Sequence, residues 1–239
     1  MPSDNPNITL AGSEDIFSRY SHLNSSQKEL LNEVAHFVYE NPLFLNLLER
    51  VFREIYNADL YTDLLDEIME LESEFYDTNR FGSFRQILEK FFENTPEIDN
   101  DRGKVLEIIC LLAVAKMFDR ESCVVNCHCK VTVRYDGTSF TTGDVDIDVC
   151  GIDNRLGRYI ESKRGILGED EVAKNKLEVL GELSEHLRKV CLGYEYDHVL
   201  KVFVLTFDDS RKMEYYRNKF PNVDFLGIES FIDDYCKQS

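Results

Sequence analysis

The residues of this chain best equipped for chemistry lie between positions 144 and 163. Asp144, Asp146 and Asp148 alternate with Val145, Ile147 and Val149. A period of two in such a β-branched run predicts a strand with one apolar face and one face of three carboxylates. A short loop around Asp153 and Asn154 leads to Tyr159-Ile160-Glu161-Ser162-Lys163, a second strand with Glu161 and Lys163 on a common face. Carboxylates two residues apart on a strand repel one another, so the pattern calls for a nearby cation. A divalent ion held by carboxylates beside a lysine is equipment for hydrolysing a phosphodiester. The plainer account makes the aspartates a solvated strand face and Glu161–Lys163 a surface ion pair worth under about 1 kcal/mol. Strongly apolar flanks and three acids in register favour the site.

The elements that must position these groups follow from periodicity. Lys104 to Phe118 is a strongly apolar helix, Cys123 to Tyr135 a strand, and Asp136-Gly137 a hairpin turn. After the two acidic strands come an amphipathic helix from Val172 to Cys191 and a buried strand from Val199 to Phe207. A basic helix from Ser210 to Phe220, a strand from Val223 to Ile228 and a short helix ending near Cys236 close the chain. This order predicts an α/β fold with a mixed central sheet. In the strand from Cys123, alternation puts Cys123, Val125, Cys127, Cys129, Val131 and Val133 on one face, with His128 on the other. The cysteines there behave as small core residues rather than as a zinc cluster.

Upstream, residues 1–25 read as a flexible tail and residues 26–97 as an acidic helical lobe. Ser26 with Glu29 forms a capping box that opens the first helix, and Asn41-Pro42 ends it. Phe44, Leu48, Val51 and Ile55 mark a second helix, Leu64, Ile68, Leu71 and Phe75 a third, and Phe84, Ile87, Leu88 and Phe91 a fourth. Thr95 to Gly103, rich in turn formers and charge, reads as a linker to a second domain over residues 98–239.

In motif order and element order, residues 100 to 230 resemble the PD-(D/E)XK phosphodiesterase superfamily, whose fold is that of the restriction endonucleases. The matching residues are Asp148, with Asp146 as its rival, on the second strand, then Glu161-Ser162-Lys163 on the third and Glu107 in the preceding helix. The proline that names the first motif is absent. The resemblance implies a restriction-endonuclease-like core, a Mg²⁺ cofactor with Mn²⁺ as substitute, and a nucleic-acid substrate, in the first place DNA. Asp148 and Glu161 would hold the hard cation through oxygens. Lys163 would place or deprotonate the attacking water and neutralise charge, and Glu107 would bind a second metal or its water. Asp148 is preferred to Asp144 and Asp146 because it lies nearest the loop into the next strand. Glu107 is the one ionisable group besides Cys110 in residues 105–115. It needs either a polar cleft or the exposed corner near the helix N-terminus. Lys174 and Lys176 begin the helix after the motif, where such enzymes often present polar residues to substrate; by default they form a solvated face.

Composition limits the remaining choices. The net charge is −18, with seven Lys and Arg against nineteen Asp and Glu in residues 1–98 and twenty against twenty-six beyond. That balance argues against nonspecific gripping of nucleic acid and confines any such surface to the second part. There the basic residues cluster as Lys163-Arg164, Lys174, Lys176, Arg188-Lys189 and Arg211 to Lys219. Seven cysteines within apolar segments, an acidic start and the lack of a long uncharged apolar run predict a cytoplasmic protein without membrane contact. The acidic lobe would serve a homodimer or a protein partner. Two competing readings are a catalytically silent protein of the same fold that binds partners through this lobe, and a protein in which the aspartates hold calcium structurally. The second lacks the loop glycine and ligand spacing of calcium loops.

Overall fold

The computed structural model describes residues 6–55, 61–94, 98–118, 123–164, 171–205 and 210–237. It is a mixed α/β fold built on a mixed sheet, with helices on both faces. The strands are β1 (Asn7–Ser13), β2 (Val124–Tyr135), β3 (Thr138–Thr141), β4 (Ile147–Ile152), β5 (Leu156–Lys163), β6 (Asp197–Val204) and β7 (Asp224–Leu226). The sheet order is β1-β2-β4-β5-β6-β7, with β3 paired to β2. Pairing is antiparallel from β1 to β5 and parallel for β5–β6 and β6–β7. Positive φ at Asp136 (46°) and Gly137 (74°) gives the β2–β3 hairpin the primed turn that its Asp-Gly pair predicts.

The helices are α1 (Ser25–Glu40), α2 (Phe44–Glu54), α3 (Tyr61–Glu72), α4 (Thr78–Asn94), α5 (Ile98–Met117), α6 (Glu171–Tyr194), α7 (Ser210–Lys219) and α8 (Ile228–Phe231). A final helical turn follows at Ile232–Cys236. One side of the sheet carries α5, which lies on β4 and β5, with α1 packed on α5 and α4 on α1. Buried residues of α1 to α5 share a single apolar core with Val149, Ile160 and Phe203 of the sheet. The opposite face is covered by α6 and α7, through Leu180, Leu183, Val190, Tyr216 and Phe220. The helix α5 approaches β4 so closely at Gly151 that a Cβ there would meet Val114 Cγ1 and Phe118 Cδ2 at 2.6 Å. Glycine at this position lets the C-terminal turns of α5 lie directly against β4.

Several expectations need correction. Residues 7–25 are no loose tail. Asn7 to Ser13 form an edge strand on β2, Leu10 opposite Val131, with Ile8 and Leu10 packed on the core. Ile16 and Leu23 are buried. The alternating Ile8 and Leu10 and the spaced Ile16, Tyr20 and Leu23 supply the apolar anchors. The capping box of α1 is formed by Asn24 and Gln27, two residues before the expected pair, because the Asn24 side chain accepts from the Gln27 amide. The expected linker is helical from Ile98, with Asp101, Arg102 and Lys104 buried; its residues 95–97 lie outside the described residues. Charge there marks a buried polar cluster, in which Lys104 Nζ lies 2.7 Å from Asp101 Oδ1, rather than solvent. In α3 the buried residues are Leu65, Ile68 and Met69, while Leu71 and Phe75 of the expected stripe are exposed.

The long strand also departs from simple alternation. His128 adopts φ 53°, and the register with β1 shifts between Ala11 and Ser13. This left-handed residue turns β2 about its axis. Cys127 therefore joins the core beneath α5, while Cys129, Val131 and Val133 join the core beneath α6. The cysteines are core residues, as expected of their spacing, but they serve two cores instead of one face.

Candidate active site

The strand expected to display three aspartates begins only at Ile147. Asp144 lies in the preceding turn, exposed, with Lys130 Nζ 3.6 Å from its carboxylate. Asp146 lies just ahead of β4 and accepts from Arg19 Nη2 at 2.6 Å. Its Oδ1 is buried without a hydrogen-bond partner. Only Asp148 is a strand residue, and it sits one step beyond the Val149–Ile160 pair, opposite Glu161. Its Oδ2 accepts from the Ser162 amide at 2.8 Å and the Ser162 hydroxyl at 2.9 Å. The residue between the two motif members thus holds the aspartate in place.

Glu161 is wholly excluded from solvent. Its Oε1 lies 2.5 Å from both Lys163 Nζ and Lys176 Nζ. Both are short charge contacts to one oxygen, and Oε2 has no hydrogen-bond partner. Burial, then the neighbouring Asp148, push the Glu161 carboxyl up despite the two lysines. The surface-pair account therefore does not describe Glu161 and Lys163. Lys176, assigned by default to a solvated helix face, instead turns its ammonium onto Glu161. Burial alone would release the Lys163 proton, but Glu161, Asp148 and Glu107 outweigh it and raise that ammonium above its ordinary range. Lys163 is held as a cation, which suits charge neutralisation better than proton abstraction.

The third carboxylate comes from α5. Glu107 occupies a polar cleft rather than an exposed helix corner, its side chain 15% accessible. The Tyr20 hydroxyl lies 3.0 and 2.9 Å from its two oxygens. Burial, Asp148 and Glu161 push the Glu107 carboxyl up to about 8, against the lowering effect of the Tyr20 hydrogen bond and Lys163. His128 Nε2 donates to the Ile16 carbonyl at 3.0 Å and lies 4.0 Å from Glu107 Oε2. The structure therefore brings together Glu107, Asp148, Glu161 and Lys163, sets Asp146 beside them, and leaves Asp144 outside. Sequence reasoning missed Arg19, Tyr20 and His128. The Ile16, Tyr20, Leu23 spacing was the available signal for the first two.

Among the described residues no group of three or more His, Cys, Asp or Glu is already gathered to hold a metal ion. The side chains nonetheless fit a hard divalent cation on two counts. An orphaned buried carboxylate oxygen on Glu161 lacks a donor, and the neighbouring carboxylates raise the proton affinity of Glu107 and Glu161 in a way that a cation relieves. The lysine ammoniums now supply part of that charge. Among the described residues no helix is long and apolar enough to cross a membrane.

No family model matches the chain, and no curated protein matches it. Among solved structures, protein VC1899 from Vibrio cholerae is similar over 95% of this chain at 13% identity and a TM-score of 0.45. The chain spans 56% of that protein's length.

Proposed function

We propose that the chain is a metal-dependent phosphodiesterase with a restriction-endonuclease-like core, acting on nucleic acid and in the first place as a DNA endonuclease. The reading is supported above all by the buried Glu161 carboxylate, set against Asp148 and Glu107 and flanked by two lysines. Isolated burial of such charge costs several kcal/mol per ion, about the scale of a whole domain's stability. A fold retains it where the charge does work. Asp148 and Glu161 would hold Mg²⁺ or Mn²⁺, which when bound supplies Lewis acidity to a phosphoryl oxygen and acidity to water. Asp148 is positioned for this by Ser162, and Glu161 by its place on β5. Glu107, close enough to Asp148 and Glu161 for both to raise its carboxyl, would bind a second metal or its water, and a cation there would hold it ionised. Lys163 and Lys176 would neutralise charge that builds on the phosphate oxygens. Asp146, paired with Arg19, lies at the margin of this set.

The test is cleavage of supercoiled, linear and single-stranded DNA and of RNA with Mg²⁺ or Mn²⁺ at low salt, for the wild type, Glu161→Ala and Lys163→Ala. Cleavage by the wild type, reduced at least about 100-fold in both variants, is the expected result. Equal cleavage by Lys163→Ala would refute its role. Wild-type inactivity without Glu161-dependent Mn²⁺ binding would favour a partner-binding protein that acts through the acidic helices.

A further inference from the structure

The segment between β1 and α1 is tied to the candidate site at three points. Tyr20 reaches Glu107, Arg19 reaches Asp146, and the Ile16 carbonyl receives His128. We propose that Tyr20 is a positioning residue of the catalytic centre, whose hydroxyl fixes the Glu107 carboxylate for work with a divalent cation. This inference rests on the phosphodiesterase reading.

The segment is built as a wall, not a lid. Ile16 and Leu23 are buried in the core shared by α1 and α5, on either side of Tyr20. The Tyr20 ring is confined as well. His128 meets it edge-on at 5.7 Å between centroids, and Lys104 Nζ lies 4.6 Å from its centre. Lys104 is in turn fixed by Asp101, both being buried. A ring held by a cation on one contact and an imidazole on another has little freedom, so its hydroxyl is a fixed point in space. That hydroxyl lies within 3.0 Å of both Glu107 oxygens, a geometry that sets the plane of the carboxylate. Carboxylates that serve metals are commonly fixed by such outer hydrogen bonds, and losing one typically weakens metal binding 10–100-fold. His128 connects the two parts of the device. Its left-handed backbone turns β2, and its ring anchors the Ile16 carbonyl four residues before Tyr20.

The full-length protein is titrated with Mn²⁺ alone, and free Mn²⁺ is read by electron paramagnetic resonance. The samples are the wild type, Tyr20→Phe, Glu107→Gln, the double variant and Glu161→Ala, each with its melting curve. Tyr20→Phe keeps the ring and removes only the hydroxyl. The expected result is a 10–100-fold weaker Mn²⁺ affinity in Tyr20→Phe, with no further loss when Tyr20→Phe is added to Glu107→Gln. Such non-additivity would not arise from a general structural effect. Unchanged affinity in Tyr20→Phe, with binding lost in Glu161→Ala, would overturn the role of Tyr20 and leave the phosphodiesterase reading standing. An equal loss in both backgrounds would also overturn it. No Glu161-dependent Mn²⁺ binding by the wild type would remove the phosphodiesterase reading and this inference with it.

Discussion

Replacing Glu107 by glutamine should make the metal-free protein more stable at alkaline pH. The carboxyl is raised from 4.5 to about 8, first by burial and then by Asp148. A group whose folded pKa exceeds its unfolded one contributes stability that is complete below the unfolded value and is lost as pH rises through the folded value. At about 1.4 kcal/mol per pH unit, the whole loss amounts to about 5 kcal/mol between pH 4.5 and pH 8. Glutamine has nearly the same shape, accepts from the Tyr20 hydroxyl and carries no charge. The difference in unfolding free energy between Glu107→Gln and the wild type should therefore shift toward the variant by roughly 3 kcal/mol from pH 5.5 to pH 8.5. In a domain of this size that corresponds to roughly 6–12 °C in melting temperature. Urea unfolding in chelator across this range measures it, and the comparison cancels every titration that the two proteins share. A difference constant within about 0.5 kcal/mol would refute the placement of Glu107 beside two other buried carboxylates.

Two further outcomes test the packing on the sheet. Gly151→Ala should cost about 1–3 kcal/mol in urea unfolding, because its Cβ would press on Val114 and Phe118 of the helix segment and require α5 to withdraw; an unchanged midpoint would contradict the close α5–β4 contact. His198, buried with Nδ1 2.9 Å from the Tyr159 hydroxyl, is lowered from 6.5 to about 4, mainly by burial and then by Arg158. Its contribution is present above pH 6.5 and lost as pH falls toward 4, about 3 kcal/mol in all, so His198→Gln should flatten this acid limb in pH-dependent melts.

How far the site could be read in advance depends on the distance over which each cause acts. Period-two and period-3.6 patterns are local, and they located α5, β2, α6, β6 and the pairing of acidic strand with Glu161 and Lys163. The hairpin at Asp136-Gly137 was equally legible because its residues carry their own backbone preference. The bulge at His128 was not. Cys123 through Val133 alternate without a break, and a single left-handed residue redistributes them between two cores with no change in composition. Asp144 and Asp146 were misread for a related reason. Alternation continues through Val145, but strand pairing ends at Ile147, so identical carboxylates finish in a turn, at a margin and in the site.

The N-terminal segment shows the same limit more sharply. Its residues are polar and acidic enough to read as a solvated tail, and the few apolar ones are too sparse to announce a helix or a long strand. What holds the segment is nonlocal: a sheet edge on β2 for Ile8 and Leu10, and the α5 core for Ile16 and Leu23. Once those anchors are fixed, Tyr20 has one direction left to it, toward Glu107. A carboxylate buried on an apolar helix must find a donor or a cation. From the sequence, Glu107 announced that need without naming the group that meets it. The donor lies 87 residues away in the chain, and only the sheet edge formed by β1 brings it there.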